Sequence, residues 1–578
     1  MLKKFPSHMP KLVVRVGLVG FAELSSIADF PLQSLHAAVG RTLGLIREQT
    51  LNTRDVDLYE GGHEFRLLLS PGNGFDYLST GVAIDLGFKI QIILPFDRQQ
   101  YRRTFLKYTE SKKAFDETLL EASEIVELDG SSARDSAQTE AMAEARRAVL
   151  RQSDVLIMWG LNKEEMSAFS KEVCAKGLPL LKIDYCPYKV TFLENSLTSS
   201  EPPRETDIGS LKKGLEAAIT LASTKENRKK LVRFLGSWHF RRLRLFQHFQ
   251  KTVSSPLRWR AKSSGEDAPH DIWETLPAPN GTMGIKIAER FKTHFDRADS
   301  LANAYGDLYR SCFLLTYGFG ALASLLAFCG VYLKIRYAFQ AEFFLILCII
   351  LIAAAAYKNR LHERWGDYRM LGEGLRQMTI LAPLARVTPA FEVPAYLDDD
   401  PGRTWFNWYF RALIREAGII SAEIDCRFLE TYRIVLEKAI LGQIKYHTDN
   451  SGKMDSVHKI LRWIVLLFLF PVTLIACIAH MREGHSLQGG DFFLSLFAIV
   501  FPAIGAALEG IAHQGDLDRI HRRSGALKLR LENLLERLRR TPITSRDIGD
   551  LAENFSQIQV LEQADWRAAF VSRPITPA

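Results

Sequence analysis

Glycines at the ends of short apolar runs are the first residues that could do chemistry. Leu12-Val-Val-Arg-Val-Gly-Leu-Val-Gly20 is one such run, turning at Gly20. A glycine closing a first strand lets backbone N–H groups and a helix N-terminus approach a phosphate. Gly17-Leu-Val-Gly20 is not G-x-G-x-x-G, so a plain turn explains it equally well. A denser set follows: Pro71-Gly-Asn-Gly-Phe-Asp76, Ala83-Ile-Asp-Leu-Gly87, Leu94-Pro-Phe96, Tyr101-Arg-Arg-Thr-Phe105, Ser153-Asp-Val-Leu-Ile157 and Trp159. Arg98, Arg102 and Arg103 lie just past a strand end, where guanidinium groups could pair with phosphates. The same charges also suit a solvated helix face.

The elements that must position these residues alternate. Leu12–Gly20, Phe65–Leu69, Lys89–Leu94, Ile125-Val126, Val155–Met158 and Leu178–Ile183 read as strands. Helical stretches over Leu32–Glu48 and Tyr77–Leu86 separate the first of them. Apolar strands alternating with helices predict a parallel sheet covered on both faces. Residues 11–195 are therefore expected to form an α/β domain.

Beyond it the pattern changes. Phe313–Leu333 with Phe343–Tyr357, and Trp463–Ala479 with Phe492–Ala512, are long apolar stretches grouped as two hairpins. About 20 apolar residues cross the ~30 Å hydrocarbon core as a helix. The sequence thus predicts an all-α membrane domain with four transmembrane helices. Arg310, Lys358, Arg360, Arg364, Lys453, Lys459, Arg462, Arg519, Arg522 and Arg523 flank the spans on one side, against Lys334, Arg336 and Arg482 on the other. That bias predicts a multi-pass protein of the bacterial plasma membrane with both termini cytoplasmic. The start of the chain lacks the apolar region of a signal peptide. Glu342 and Glu509 could line a pore in an oligomer or simply reach water at the interface. Pro471 and Pro502 could break the second pair.

The formal net charge of +8 over 578 residues fits this topology. No nucleic-acid motif accompanies it, so no nucleic-acid partner is expected. The seven cysteines include no C-x-x-C pair and suit buried reduced thiols.

Residues 200–310 form a basic helical connector. Within it Lys212–Phe234 is helical in pattern, and Arg228, Lys229, Lys230, Arg233, Arg241, Arg242 and Arg244 are mixed with Trp238, Phe240 and Phe246. That mix suits either an anionic leaflet or a solvated helix face. Residues 311–385 hold the first hairpin and a cytosolic helix. Residues 386–460 form a helical insert, 461–545 the second hairpin with its helix, and 546–578 a tail. The Leu/Glu/Arg-rich helix reaching Arg540 could support coiled-coil contacts. Spans, partners and the pairs Arg369-x-x-Gly372 and Arg522-x-x-Gly525 recur at an offset of about 150 residues, an internal repeat.

In order and spacing, the motifs of residues 11–195 resemble the SLOG superfamily, Rossmann-like domains related to the LOG phosphoribohydrolases and Smf proteins. The resemblance implies that Gly20, Phe21, Gly72, Asn73, Asp76 and the loop Trp159-Gly-Leu-Asn162 face one ligand cleft. LOG enzymes carry P-G-G-x-G-T-x-x-E after the later strand. Here Trp159-Gly-Leu-Asn-Lys-Glu-Glu165 stands in its place. Without that phosphate cradle, binding without turnover is expected. The hairpin followed by Trp365, Arg369 and Glu373 resembles the SLATT two-transmembrane family of prokaryotic conflict systems. Trp365, Arg369 and Glu373 share a helix face, and Arg369–Glu373 makes an i,i+4 pair. In the second copy Ala526 replaces the Glu. The role of Gln443, Tyr446 and His447 is open at this level.

Together the resemblances imply an oligomeric, pore-forming effector of antiphage defence. It would be gated by a nucleotide-derived second messenger, cyclic or ADP-ribose-related, from a neighbouring nucleotide-signal synthase, with no further cofactor and no metal. A membrane-tethered nucleotide hydrolase or glycosidase, and a housekeeping ion channel with a structural α/β domain, are the alternatives.

Overall fold

The computed structural model describes residues 9–20, 32–53, 58–71, 75–104, 109–131, 135–160, 163–175, 178–183, 190–194, 204–206, 209–220, 225–236, 245, 247–249, 283–386, 404–483 and 492–571. Phe21, Gly72, Asn73, Asn162 and Cys186 lie outside the described residues, as do 250–282 and the acidic loop at 394–401.

The N-terminal domain is Rossmann-like. Strands β1 (Leu12–Gly20), β2 (His63–Leu69), β3 (Phe88–Leu94), β4 (Ala122–Glu127), β5 (Val155–Trp159) and β6 (Leu180–Ile183) alternate with helices. These helices are α1 (Leu32–Leu51), α2 (Phe75–Asp85), α3 (Arg98–Thr104), α4 (Thr109–Glu121), α5 (Asp135–Gln152) and α6 (Lys163–Ala175). All six expected strands are present and pair in parallel. An antiparallel hairpin, β7 (Val190–Glu194) and β8 (Arg204–Thr206), extends one edge. At the other edge β9 (Ala422–Glu423), contributed by the distant insert, pairs with β4. The order is β8-β7-β6-β5-β1-β2-β3-β4-β9.

The strand period of two divides the domain into two cores. Leu12, Val14, Val16 and Leu18 of β1 join the core beneath α1 and α2. Val19 of β1, Leu68 of β2 and Met158 of β5 join the larger core, which continues into the helical half of the chain. The sheet is therefore a wall shared by its own helices on one side and by the helical domain on the other.

The basic connector begins with two helices, α7 (Gly209–Ile219) and α8 (Lys225–Gly236), where one is expected over Lys212–Phe234. Ser223 and Thr224 before Lys225-Glu226 carry the signature of a new helix start. Next comes α9 (Met283–Tyr332), unbroken from the charged connector through the first apolar stretch. It is followed by α10 (Ala338–Lys358), α11 (Leu361–Leu381), α12 (Trp405–Ala417) and α13 (Cys426–Ile464). The chain ends with α14 (Phe470–Glu483), α15 (Phe492–Gln514), α16 (Leu517–Arg540) and α17 (Ser545–Val571).

Among the described residues, four helices are long and apolar enough to cross a membrane: Glu289–Tyr332, Ala338–Lys358, Cys426–Ala479 and Phe492–Arg540. Only 11% of the apolar window of Ala338–Lys358 is buried. Phe343, Phe344, Ile350 and Leu351 stay exposed, which fits a helix whose apolar surface meets lipid rather than protein. Neither proline breaks its helix. Val465–Leu469, just before Pro471, winds as a π-helix between α13 and α14. Such a bulge accommodates the hydrogen bond that a proline cannot donate. Pro502 lies inside α15.

The repeat is visible in three dimensions. In each copy a long helix enters the apolar region, a second span returns, and a third helix packs back along the first: α9–α10–α11 and α13/α14–α15–α16. In both copies a non-glycine residue with positive φ makes the last reversal, Arg360 (φ 47) and Asp516 (φ 53). Counted from these residues, Arg369 and Arg522 are not equivalent. Arg369 lies nine residues past its break and Arg522 six past its own, so the motif alignment is one helical turn out of step.

The expected Arg369–Glu373 pair is replaced as well. Glu373 takes Arg376 at 2.6 Å and Gln377 at 2.6 Å, while Arg369 faces Asp299 of α9 at 3.6 Å. The apolar stripe of α16 is used within the chain, with Leu527, Leu531, Leu534 and Leu538 buried against α13 and α17.

Candidate functional site

The strand order reverses between β1 and β5, and open parallel sheets bind ligands outside the carboxyl ends at such a switch point. Gly20 pairs with Trp159 across that point. That rule places a ligand crevice where β1, β2 and β5 end, at Gly20, Ser70-Pro71 and Gly160. Gly17 has a separate role. A Cβ there would lie 2.1 Å from Ser153 Oγ and 2.7 Å from Leu156 Cδ1, so glycine permits close packing of β1 on the turn into β5.

The crevice is polar where it is described. Asp76, second residue of α2, is 3% exposed. Ser70 Oγ and Tyr77 Oη are buried without a hydrogen-bond partner among the described residues. A buried hydroxyl left unpaired costs about 1–3 kcal/mol, so each is a group that a bound polar molecule would satisfy. Burial first, then the charges of Asp76 and Asp116, push the Tyr77 phenol well up, so it remains a donor at neutral pH. Tyr101 donates its hydroxyl to the Pro71 carbonyl and stacks on Phe115 at 5.3 Å, which fixes the start of the following loop. Arg146 of α5 is the cation of this region. It stands 3.7 Å from Glu165 and feels the charge of Asp76. Sequence reasoning missed it because it sits mid-helix, away from any glycine motif.

The other sequence-derived residues distribute differently. Trp159 is fully buried, its side chain part of the core beneath α1, so only its backbone reaches the crevice. Arg98 is engaged by Glu127, to which it also donates its backbone N–H at 2.8 Å. A protein carboxylate thus occupies the position expected of a phosphate. Arg102 forms an exposed pair with Asp116 at 2.9 Å on the surface of α3 and α4. Among the described residues no group of three or more His, Cys, Asp or Glu could hold a metal ion.

A second polar assembly lies on the other face of the sheet, toward the amino ends of its strands. Asp154 accepts from the Arg15 backbone N–H at 3.0 Å, from Arg15 Nε and Nη2 at 3.3 Å each, and from Arg415 Nε of α12 at 2.9 Å. All three side chains are at most 2% exposed. Burial would raise the Asp154 carboxyl, but the charges and hydrogen bonds of Arg15 and Arg415 override it and hold the group far below the usual carboxylate range. Arg411, one helical turn away, is pushed down to about 10 by burial and by Arg415.

Next along the sheet, Arg66 donates to the Arg415 and Glu416 carbonyls at 3.0 and 2.8 Å, closing the C-terminus of α12. Cations at that end satisfy orphan carbonyls and oppose the helix dipole. Gly418 (φ +63) follows, and a Cβ there would lie 2.1 Å from Arg66 Nη1. At the β4 edge Glu124 accepts from Ser421 N–H at 3.0 Å and from Arg290 Nη2 of α9 at 3.0 Å. Arg290 Nη1 donates to the Ile419 carbonyl at 2.9 Å.

Two further clamps join the halves. Arg386 reaches Glu144 of α5 at 3.4 Å and Asp550 of α17 at 2.6 Å. Asp129 accepts the Ser545 N–H at 2.8 Å. One face of the sheet is thus bolted to the helix that enters the first span.

The chain matches no family model, no curated protein and no solved structure.

Proposed function

We propose that this chain is a ligand-controlled membrane effector. The Rossmann-like domain binds a phosphate-bearing, nucleotide-derived signal at the β1–β5 switch point, without turning it over. Binding changes the arrangement of an oligomeric bundle of the four apolar helices, which opens a pore. Following the SLOG and SLATT resemblances, the setting is antiphage defence at the bacterial inner membrane, with both termini cytoplasmic and the signal made by a neighbouring synthase. The observation that supports this reading most directly is Arg290: it is bound to Glu124 of the sheet and lies on a helix that continues unbroken into a span.

The test is full-length protein in dye-loaded liposomes, titrated with cyclic dinucleotides, cyclic mononucleotides and ADP-ribose derivatives. One class is expected to release dye. Tyr77→Phe and Ser70→Ala remove hydroxyls with no hydrogen-bond partner among the described residues, so they are expected to spare the fold and weaken the response. Leakage indifferent to every nucleotide and to both changes refutes gating. Released base or ribose phosphate favours the hydrolase reading instead.

A further inference from the structure

A lone carboxylate lies within the last apolar span, away from the crevice and the clamps. α15 carries no Asp, Glu, Lys or Arg other than Glu509. Ile504-Gly-Ala-Ala-Leu508 precedes it and Gly510-Ile-Ala512 follows. Glu509 stands seven residues before the reversal at Asp516, about 10 Å along the helix axis. It is exposed, and it makes no hydrogen bond or ion pair among the described residues.

The other face of α15 fixes its orientation. Val500, Gly505, Ala507 and Ile511 are buried. A Cβ on Gly510 would lie 2.4 Å from the Tyr317 ring of α9, and Gln514 Nε2 donates to the Tyr309 hydroxyl at 2.7 Å. Glu509 therefore cannot turn into the bundle of its own chain. Nor does it lean toward the nearer headgroups. Helical side chains tilt toward the helix N-terminus. α15 starts at Phe492, on the far side of the apolar region, so the carboxylate leans toward the middle of the span.

A charge held there faces water or protein rather than hydrocarbon. Pro502, Ala506 and His513 share its face, at spacings of four, three and four residues, and all are exposed. The exposed residues of α10 and α14 are of another kind: Phe343, Phe344, Phe470, Leu474 and Ile475 are bulky, apolar groups suited to lipid. On the reading of this bundle as a pore, we propose that α15 is the helix lining it. Copies of this chain set their α15 faces around a water-filled passage, and Glu509 forms a ring of carboxylates that admits cations in preference to anions.

The experiment has two arms, both on the full-length protein in liposomes. In the first, Glu509→Cys and Leu351→Cys meet a charged, membrane-impermeant thiol reagent present on both sides of the membrane. Labelling is read as the gain over wild type, whose Cys426 is itself exposed. The thiolate is the reactive form, and it needs water. Leu351 is exposed nine residues before its own reversal at Arg360, a comparable depth on α10. Glu509→Cys is expected to label and Leu351→Cys to stay unlabelled. Equal labelling of the two, or none at Glu509→Cys, overturns the proposal whether or not any nucleotide opens a pore. In the second arm, the nucleotide-opened current is measured across a KCl gradient. Wild type prefers potassium, and Glu509→Gln lowers the potassium-to-chloride permeability ratio about fivefold, the effect of one carboxylate about 4 Å from an ion in water. An unchanged ratio overturns the proposal. Absence of any current, with Glu509→Cys labelled, refutes nucleotide gating instead and supports the water-lined face of α15.

Discussion

Asp154→Asn tests whether the buried ion cluster holds the two halves together. The carboxylate is 2% exposed and accepts four hydrogen bonds from Arg15 and Arg415, themselves 0% and 1% exposed. The amide keeps the shape but removes the charge, leaving two guanidinium groups buried without a counter-ion. Breaking a buried pair in this way costs about 3–5 kcal/mol. For a cooperative unit the size of the α/β domain, that is a fall in Tm of roughly 6–20 °C.

Thermal unfolding of the purified full-length protein measures the loss, and hydrogen exchange locates it. Protection is expected to drop together in β1, in β5 and in α12, although α12 is far away in sequence. Adding Arg415→Gln restores part of the loss, because one of the stranded charges goes with it, and the coupling should be about 0.5–3 kcal/mol. A fall in Tm under about 2 °C, or strictly additive losses, refutes the clamp. The pH dependence has a definite sign. The folded pKa of Asp154 is depressed below its ordinary 3.8, so its contribution is fully present above that value and is lost only in more acidic solution. Between pH 5 and 8 it adds no slope.

Gly418→Ala forces a side chain into a left-handed position and against Arg66 Nη1, 2.1 Å from the new Cβ. A stability loss of about 1–2 kcal/mol from the backbone alone is expected by chemical denaturation, with added exchange at the end of α12. Gly17→Ala puts a methyl group 2.1 Å from Ser153 Oγ, and overpacking of about 1–3 kcal/mol should appear in the same assay. Glu562, 3.5 Å from the buried His447, is raised to about 7 by burial first and by Glu373, against the pull of Arg523, Arg369 and Arg376. Its folded pKa lies above the ordinary 4.5, so the stability it contributes is full below that value and is lost as pH rises toward 7. His447 is pushed down to about 4 by burial, so its own contribution rises up to its ordinary 6.5 and offsets part of this fall; Glu562→Gln should therefore leave Tm rising more steeply from pH 5 to 6.5 than in wild type.

The parallel sheet was legible because its strands are continuous apolar runs, and the candidate spans because about 20 apolar residues in a row match the thickness of a bilayer core. The rest depended on distant partners. Ala422-Glu423 becomes a strand only because the insert lies along β4. Arg98 and Arg102 carry the right chemistry for phosphate, but Glu127 and Asp116 claim them once the chain folds. Trp159 borders the crevice in sequence, yet strand alternation turns its ring into the core. One signal for the clamp was present: Arg15 interrupts an otherwise apolar strand. A guanidinium buried there demands a carboxylate, though nothing local names Asp154 or brings Arg415 from 400 residues away.

The geometry also constrains how a ligand could act on the spans. Gly20 and Arg15 are five residues apart on one strand, a separation of about 16 Å that a paired strand cannot shorten. A ligand at the crevice therefore cannot work by compressing β1. On the proposed reading it would shift the sheet as a body against α12 and α9, and the contact of Glu124 with Arg290 is where such a shift would reach α9. Linkage makes this testable without knowing the pore's structure. If the seam carries the coupling, Arg290→Ala must weaken the ligand's effect on the open fraction and, with it, the difference in the ligand's affinity between the open and closed states. A change in leakage with affinity untouched would mean that Arg290 serves the pore alone, and that the signal passes through the Arg386 clamp instead.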